Sequence, residues 1–94
     1  MRTKPGRRDE VVGLLLLGAD GLRAVGCELY AVCTDPADDD LIWVTEIWDS
    51  AEHHDTSLQL PDVKAAIAAA TPMLTGDFTR QELTVIGGLG VRAG

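Results

Sequence analysis

Positive charge is scarce in this sequence. Eight Lys and Arg stand against fifteen Asp and Glu, a formal net charge of −7. A chain this acidic repels phosphate, which excludes nucleic acid as a natural partner. Cysteine is scarce too: Cys27 and Cys33 are the only two. On one expected strand their even spacing puts both on the same face, about 20 Å apart, out of disulfide reach. They read as buried free thiols of a cytoplasmic protein. Histidine is limited to His53 and His54. Adjacent on a helix, the two point in different directions, and no third ligand is spaced to complete a metal site. Long apolar runs are missing as well. Val11 to Leu17 follows Arg2, Lys4, Arg7 and Arg8 much as the apolar part of a signal peptide would, and Ala24-Val25-Gly26-Cys27 imitates a lipoprotein cleavage site. However, Asp9 and Glu10 interrupt the first pattern and Asp20 and Arg23 the second, and the run is too short to span a bilayer. It reads as the buried side of a helix, and no membrane partner is expected.

What is present is ordinary globular material. Hydrophobic residues make up 46% and charged residues 24% of the 94 residues, which argues against disorder. The length suits one domain over residues 1–94, with a Gly-rich tail over 87–94 that is mobile or clamps a partner. A domain this small leaves much of its surface exposed, so pairing with a second copy is attractive.

The elements can be read in order. Lys4-Pro5-Gly6 forms a turn, and a helix follows with Asp9 and Glu10 at the positive end of its dipole. Val11, Leu14, Leu15, Gly18 and Leu22 form its core face, Leu16 and Leu17 broaden that face, and Gly26 ends the segment. Cys27 to Thr34 alternates as a strand, with Tyr30 and Val32 on one face and Leu29, Ala31 and the cysteines on the other. Asp35 to Asp40 reads as a solvated turn and lacks the spacing of a calcium loop. Leu41 to Trp48 returns as the second strand of a hairpin. Ile42, Val44, Glu46 and Trp48 share one face; Leu41, Trp43, Thr45 and Ile47 share the other. Both faces are largely apolar, which predicts helices on one and a partner on the other. Asp49 or Ser50 caps a short helix that ends before Pro61. Pro61 opens another helix with Val63, Ala66, Ile67 and Ala70 inward, and Pro72 ends or bends it. Phe78 to Ile86 reads as a final strand. Gly87-Gly88-Leu89-Gly90 is no dinucleotide fingerprint, because no helix follows it. The sum is α+β, and one strand in front would complete the ferredoxin-like βαββαβ order.

Four stretches carry a family resemblance. They are Lys4-Pro5-Gly6-Arg7-Arg8-Asp9-Glu10; Gly26-Cys27 with Tyr30, Val32 and Asp35-Pro36; Trp43-Val44 with Glu46, Trp48 and Ser50; and Leu60-Pro61 with Val63-Lys64. In this order and spacing the chain resembles the antibiotic biosynthesis monooxygenase family over nearly its whole length. The resemblance implies a ferredoxin-like dimeric α+β barrel, with sheets packed face to face and a cavity between sheet and helices in each subunit. It also implies oxidation of aromatic polyketides or quinols without a cofactor. Only Met1 to Lys4 occupy the place of the family's first strand, so either these few residues are enough or, the favoured expectation, the natural start lies upstream. Many relatives carry His where this chain has Ser57. Haem-degrading relatives carry Trp there and a ligand His where this chain has Ile67, so haem degradation by that arrangement is not expected.

The resemblance orders the site candidates. His54 is the expected general base, able to take a phenolic proton so that a carbanion-like substrate reacts with O₂; the alternative is that both histidines lie on the surface. Trp48 lines the expected pocket with Ser57 and Ile67, and Trp43 packs in the dimer interface; either Trp can also be simple core. Glu46 is a carboxylate on an apolar face and needs a partner, such as Arg80 or a hydroxyl, or else serves catalysis. Tyr30 orients a polar substrate or is a core residue with a satisfied hydroxyl. Three functions remain open: a cofactor-free monooxygenase acting on a small phenolic or quinol-like molecule, a non-catalytic homodimer binding an apolar metabolite, or an accessory subunit whose sheet mates with another protein.

Overall fold

The computed structural model describes residues 1–91. Its centre is an antiparallel hairpin of β1 (Cys27–Asp35) and β2 (Asp38–Trp48). Two short pairings widen it: Arg2 bridges Leu41 on β2, and Thr3 bridges Leu74. Met1 and Ile42 exchange both backbone bonds, at 2.8 and 2.9 Å, while Thr75 N–H donates to Arg2 at 3.0 Å and Lys4 N–H to Met73 at 2.8 Å. Met1 to Lys4 therefore sit inside the sheet, between β2 and the segment that follows the last helix. That is the strand order a ferredoxin-like arrangement requires.

The acidic stretch after Asp35 is mostly strand rather than loop, and Asp38 in it is paired with a cation. Asp38 takes both guanidinium nitrogens of Arg2, at 2.9 and 3.2 Å, and its carbonyl accepts from Arg8 at 2.9 Å. The Arg2 bonds first, and then the Asp40 N–H that donates to Asp38 Oδ1, hold the Asp38 carboxyl below the usual carboxylate range. Only Pro36 and Ala37 remain as the turn between the strands.

Helix α1 (Arg8–Leu16) is shorter than its apolar pattern predicts. Gly18 adopts φ 75°, and a 3₁₀ segment, Ala19–Val25, carries the chain to Gly26 at φ 108°. A left-handed residue is incompatible with continued helix, and glycine adopts it without steric cost. The break turns Leu16 and Leu17 outward, 53% and 76% exposed, instead of burying a second side of the helix. At Gly26 the backbone also needs space: a Cβ would lie 2.5 Å from Asp49 Oδ1 and 2.9 Å from His53 Nδ1.

Two further helices, α2 (Ala51–Ser57) and α3 (Pro61–Ala70), complete the cover. Ser50 rather than Asp49 caps α2, its hydroxyl accepting from His53 N–H at 3.0 Å. The small side chains of α3 let it lie close to α1. Val11, Ile42, Ala70 and Met73 form the buried core, with Val32, Val44, Leu14 and Leu15 packed around it. Val11 and Ile42 are fully buried, worth roughly 1.5–3 kcal/mol each against exposure.

Two further sequence expectations are corrected here. Phe78 to Ile86 forms no strand; the pairing beside Met1–Thr3 is made by Met73 to Asp77, and Phe78, Leu83 and Ile86 are exposed. Cys33 is exposed, although Cys27 is buried and both thiols are free; a register irregularity between Cys27 and Leu29 breaks the expected alternation. Of the Gly-rich tail, residues 92–94 lie outside the described residues. Among the described residues no helix is long and apolar enough to cross a membrane.

Candidate functional site

The helix-covered face of the hairpin does not pack solid. Between it and the helices lies a cavity of about 370 Å³, floored by Tyr30, Glu46 and Trp48. Its walls are Leu14, Leu15 and Leu22 from the first helical segments and Val63, Ala66 and Ile67 from α3; His54 and Ser57 enter from α2. All six residues singled out from the sequence thus border one cavity.

Strand geometry explains the floor. Ile42 gives both backbone groups to Met1, so its β1 partner Thr34 is a non-hydrogen-bonded neighbour, and so is every second pair along the ladder. Tyr30 and Glu46 are such a pair, and side chains of these pairs approach most closely. Trp48 lies two residues beyond Glu46 on the same face, and its indole Nε1–H donates to Glu46 Oε1 at 3.1 Å. Glu46 therefore finds its partner in the indole. Arg80, the cation expected for it, pairs with Glu82 at 2.6 Å instead.

The Tyr30 phenol is pushed up to about 12, first by burial and then by the neighbouring Glu46 charge. It stays a protonated donor at any ordinary pH. Burial and Glu46 also push the Cys27 thiol up.

The two histidines separate cleanly. His53 turns away from the cavity and meets Asp49, Nδ1 to Oδ1 at 2.6 Å, with 54% of its side chain exposed. His54 borders the cavity, 22% exposed, and its ring meets Trp48 edge to face, with centroids 5.5 Å apart at 72°. Its Nδ1 lies 3.3 Å from Asp55 Oδ1, and Nε2 has no partner among the described residues. Ser57 is buried, but its hydroxyl donates to the His54 carbonyl at 2.6 Å. It braces the last turn of α2 under His54 rather than offering a free group.

Several wall residues escaped the sequence reading. Phe78 lines this cavity and also a second hollow of about 310 Å³ on the Trp43 side of the sheet. Asp62 borders the cavity as well. It is four residues before Ala66 and eight before Ala70, a spacing that could have placed it beside the inward face of α3. Among the described residues no three His, Cys, Asp or Glu side chains converge as a metal site would need.

The fold and cavity define a class: ferredoxin-like α+β domains with an apolar pocket between sheet and helices. The antibiotic biosynthesis monooxygenase family profile matches residues 1–69. The crystal structure of a protein from Chloroflexus aurantiacus J-10-fl, carrying the same family name, is 41% identical and superimposes with a TM-score of 0.87, over 100% of this chain and 92% of that one. This chain belongs to the antibiotic biosynthesis monooxygenase family. Among proteins with curated functions none matches it.

Proposed function

We propose that this protein is a cofactor-independent monooxygenase that oxidises a phenolic, polyketide or quinol-like small molecule in the cavity. The observation that carries the reading is convergence: His54, Glu46 and Tyr30 are the polar groups of interest around one largely apolar space, with Trp48 as an aromatic wall. In the proposed reaction His54 takes a proton from the substrate, through the ring nitrogen that has no protein partner. Tyr30, held protonated, donates to the oxyanion that develops. The resulting carbanion-like carbon reacts directly with O₂. For an activated ring methylene, one oxygen atom becomes the new carbonyl and the other leaves as water, so no external reductant is consumed. Trp48 and Ile67 hold the ring of the substrate, and Ser57 holds the helix that carries His54.

The working unit we propose is a homodimer in the cytoplasm. Family members are typically dimers, and Trp43 and Leu29, on the helix-free face of the sheet, are 49% and 39% exposed. An apolar face of this kind is what a face-to-face sheet interface covers. The two free thiols fit a reducing compartment.

Oxygen uptake with a panel of anthrones and hydroquinones tests the enzyme reading. Turnover should appear with at least one substrate and fall by about 10²-fold or more in His54→Ala, the usual range for loss of a general base. Unchanged turnover in that variant removes the base. Tight binding without oxygen uptake across the panel favours a non-catalytic dimer that holds an apolar metabolite.

A further inference from the structure

The charges around the cavity say more about the ligand than its shape does. Two acids border it, Glu46 on the floor and Asp62 on α3, and no Lys or Arg is among its lining residues. Arg23, which acts on the Cys27 thiol together with Glu46 and Glu28, does not border the space. The whole chain adds a net charge of −7. Among the described residues a bound carboxylate or phosphate would meet no Lys or Arg here; Met1, whose ammonium already donates to the Ile42 carbonyl, and His54 are the lining residues that can carry positive charge.

Glu46 is also under-used. A carboxylate can accept at about four lone-pair positions, and the Trp48 indole N–H supplies one bond. Glu46 is itself exposed and borders the cavity beside Trp48 and Tyr30, so its remaining capacity is open to a ligand as well as to water, and the Tyr30 phenol stays protonated there. Such a floor rewards a ligand that brings a hydrogen-bond donor, or a positive charge that can rest against the rings.

We propose that the cavity selects apolar aromatic ligands bearing a neutral hydroxyl or a cationic amine, and rejects their carboxylated analogues, with Glu46 setting the preference. The proposal rests on the reading of this cavity as the substrate site and narrows the substrate class to neutral or cationic aromatics.

The test is anaerobic binding at pH 7 of three probes that share one ring system: 2-naphthol, 2-naphthylmethylamine and 2-naphthoate. Tryptophan fluorescence or calorimetry reports each affinity. Naphthol and the amine should bind about tenfold or more tightly than naphthoate, the scale of a like-charge contact in a partly wet site. In Glu46→Gln, an isosteric change, the gap should shrink to about threefold or less, chiefly because the naphthoate binds better. Asp62→Asn, at an exposed position, should narrow the gap less. Equal binding of naphthoate and naphthol by the natural protein overturns the proposal. So does a gap unchanged in Glu46→Gln, or no binding of any probe. Excluding oxygen separates this test from the enzyme reading: selective binding without later oxygen uptake upholds the cavity's preference and removes the monooxygenase.

Discussion

The two faces of the β1–β2 hairpin are made from similar residues and do different work. One carries Val32, Ile42 and Val44 into the core, and Ile42 is fully buried there. The same face then changes character toward Trp48, where Tyr30, Glu46 and the indole form a polar floor under a cavity. The opposite face carries Leu29, Trp43 and Ile47, and Trp43 stays 49% exposed there. Apolar content alone does not separate the two faces. The separating feature is a carboxylate and a phenol directly opposite each other on the covered face, the carboxylate bonded to the Trp48 indole.

Replacing Ile42 by Ala should break the covered face most severely. It removes the largest fully buried side chain, and thermal or denaturant unfolding should show a loss of about 3 kcal/mol, within the usual range for such cavities. Trp43→Glu should leave the fold of one chain close to natural, since the residue is half exposed. On our account its effect falls on assembly: sedimentation should show the dimer weakened by about tenfold or more. A variant that stays fully dimeric would remove the bare face from the interface.

The smallest effect is a titration. Tyr30 is the only tyrosine, so absorbance near 295 nm reports it alone. Its pKa is raised from 10 to about 12 in the folded chain. Between those values the folded state holds a proton that the unfolded state has lost. The stability contributed by the protonated phenol is therefore complete below pH 10 and lost as pH climbs toward 12. Glu46→Gln should bring the tyrosine midpoint down somewhat, since it removes the charge but leaves the larger effect of burial.

Much of this arrangement was legible in the sequence because it is local. Two-residue alternation assigned Ile42, Val44, Glu46 and Trp48 to one face, and Pro61 marked the start of α3. The same alternation put Tyr30 with Val32, which left Tyr30 opposite Glu46 once the hairpin register was set. What stayed hidden depends on distant partners. Asp38 to Asp40 look like a loop until Arg2 and Arg8 are known to meet Asp38. Phe78 to Ile86 has strand propensity, but a strand exists only against a neighbour, and Met1–Thr3 pairs with residues just before it. The α1 helix was overextended because its apolar spacing runs through Gly18, whose left-handed backbone stops the helix. At the site, the bond between the Trp48 indole and Glu46 was missed because an expected cation, Arg80, looked the stronger partner.

The two tryptophans stand on the two faces, one on each, which makes them paired reporters of the central claim that ligand chemistry belongs to the helix-covered face. Proton–nitrogen correlation spectra resolve one indole N–H signal for each, assignable with Trp43→Phe. On addition of 2-naphthol without oxygen, the Trp48 indole signal should shift, since that N–H lies at the cavity floor against Glu46, while the Trp43 signal holds its position. A shift confined to Trp43 would put the ligand on the opposite face and contradict the account.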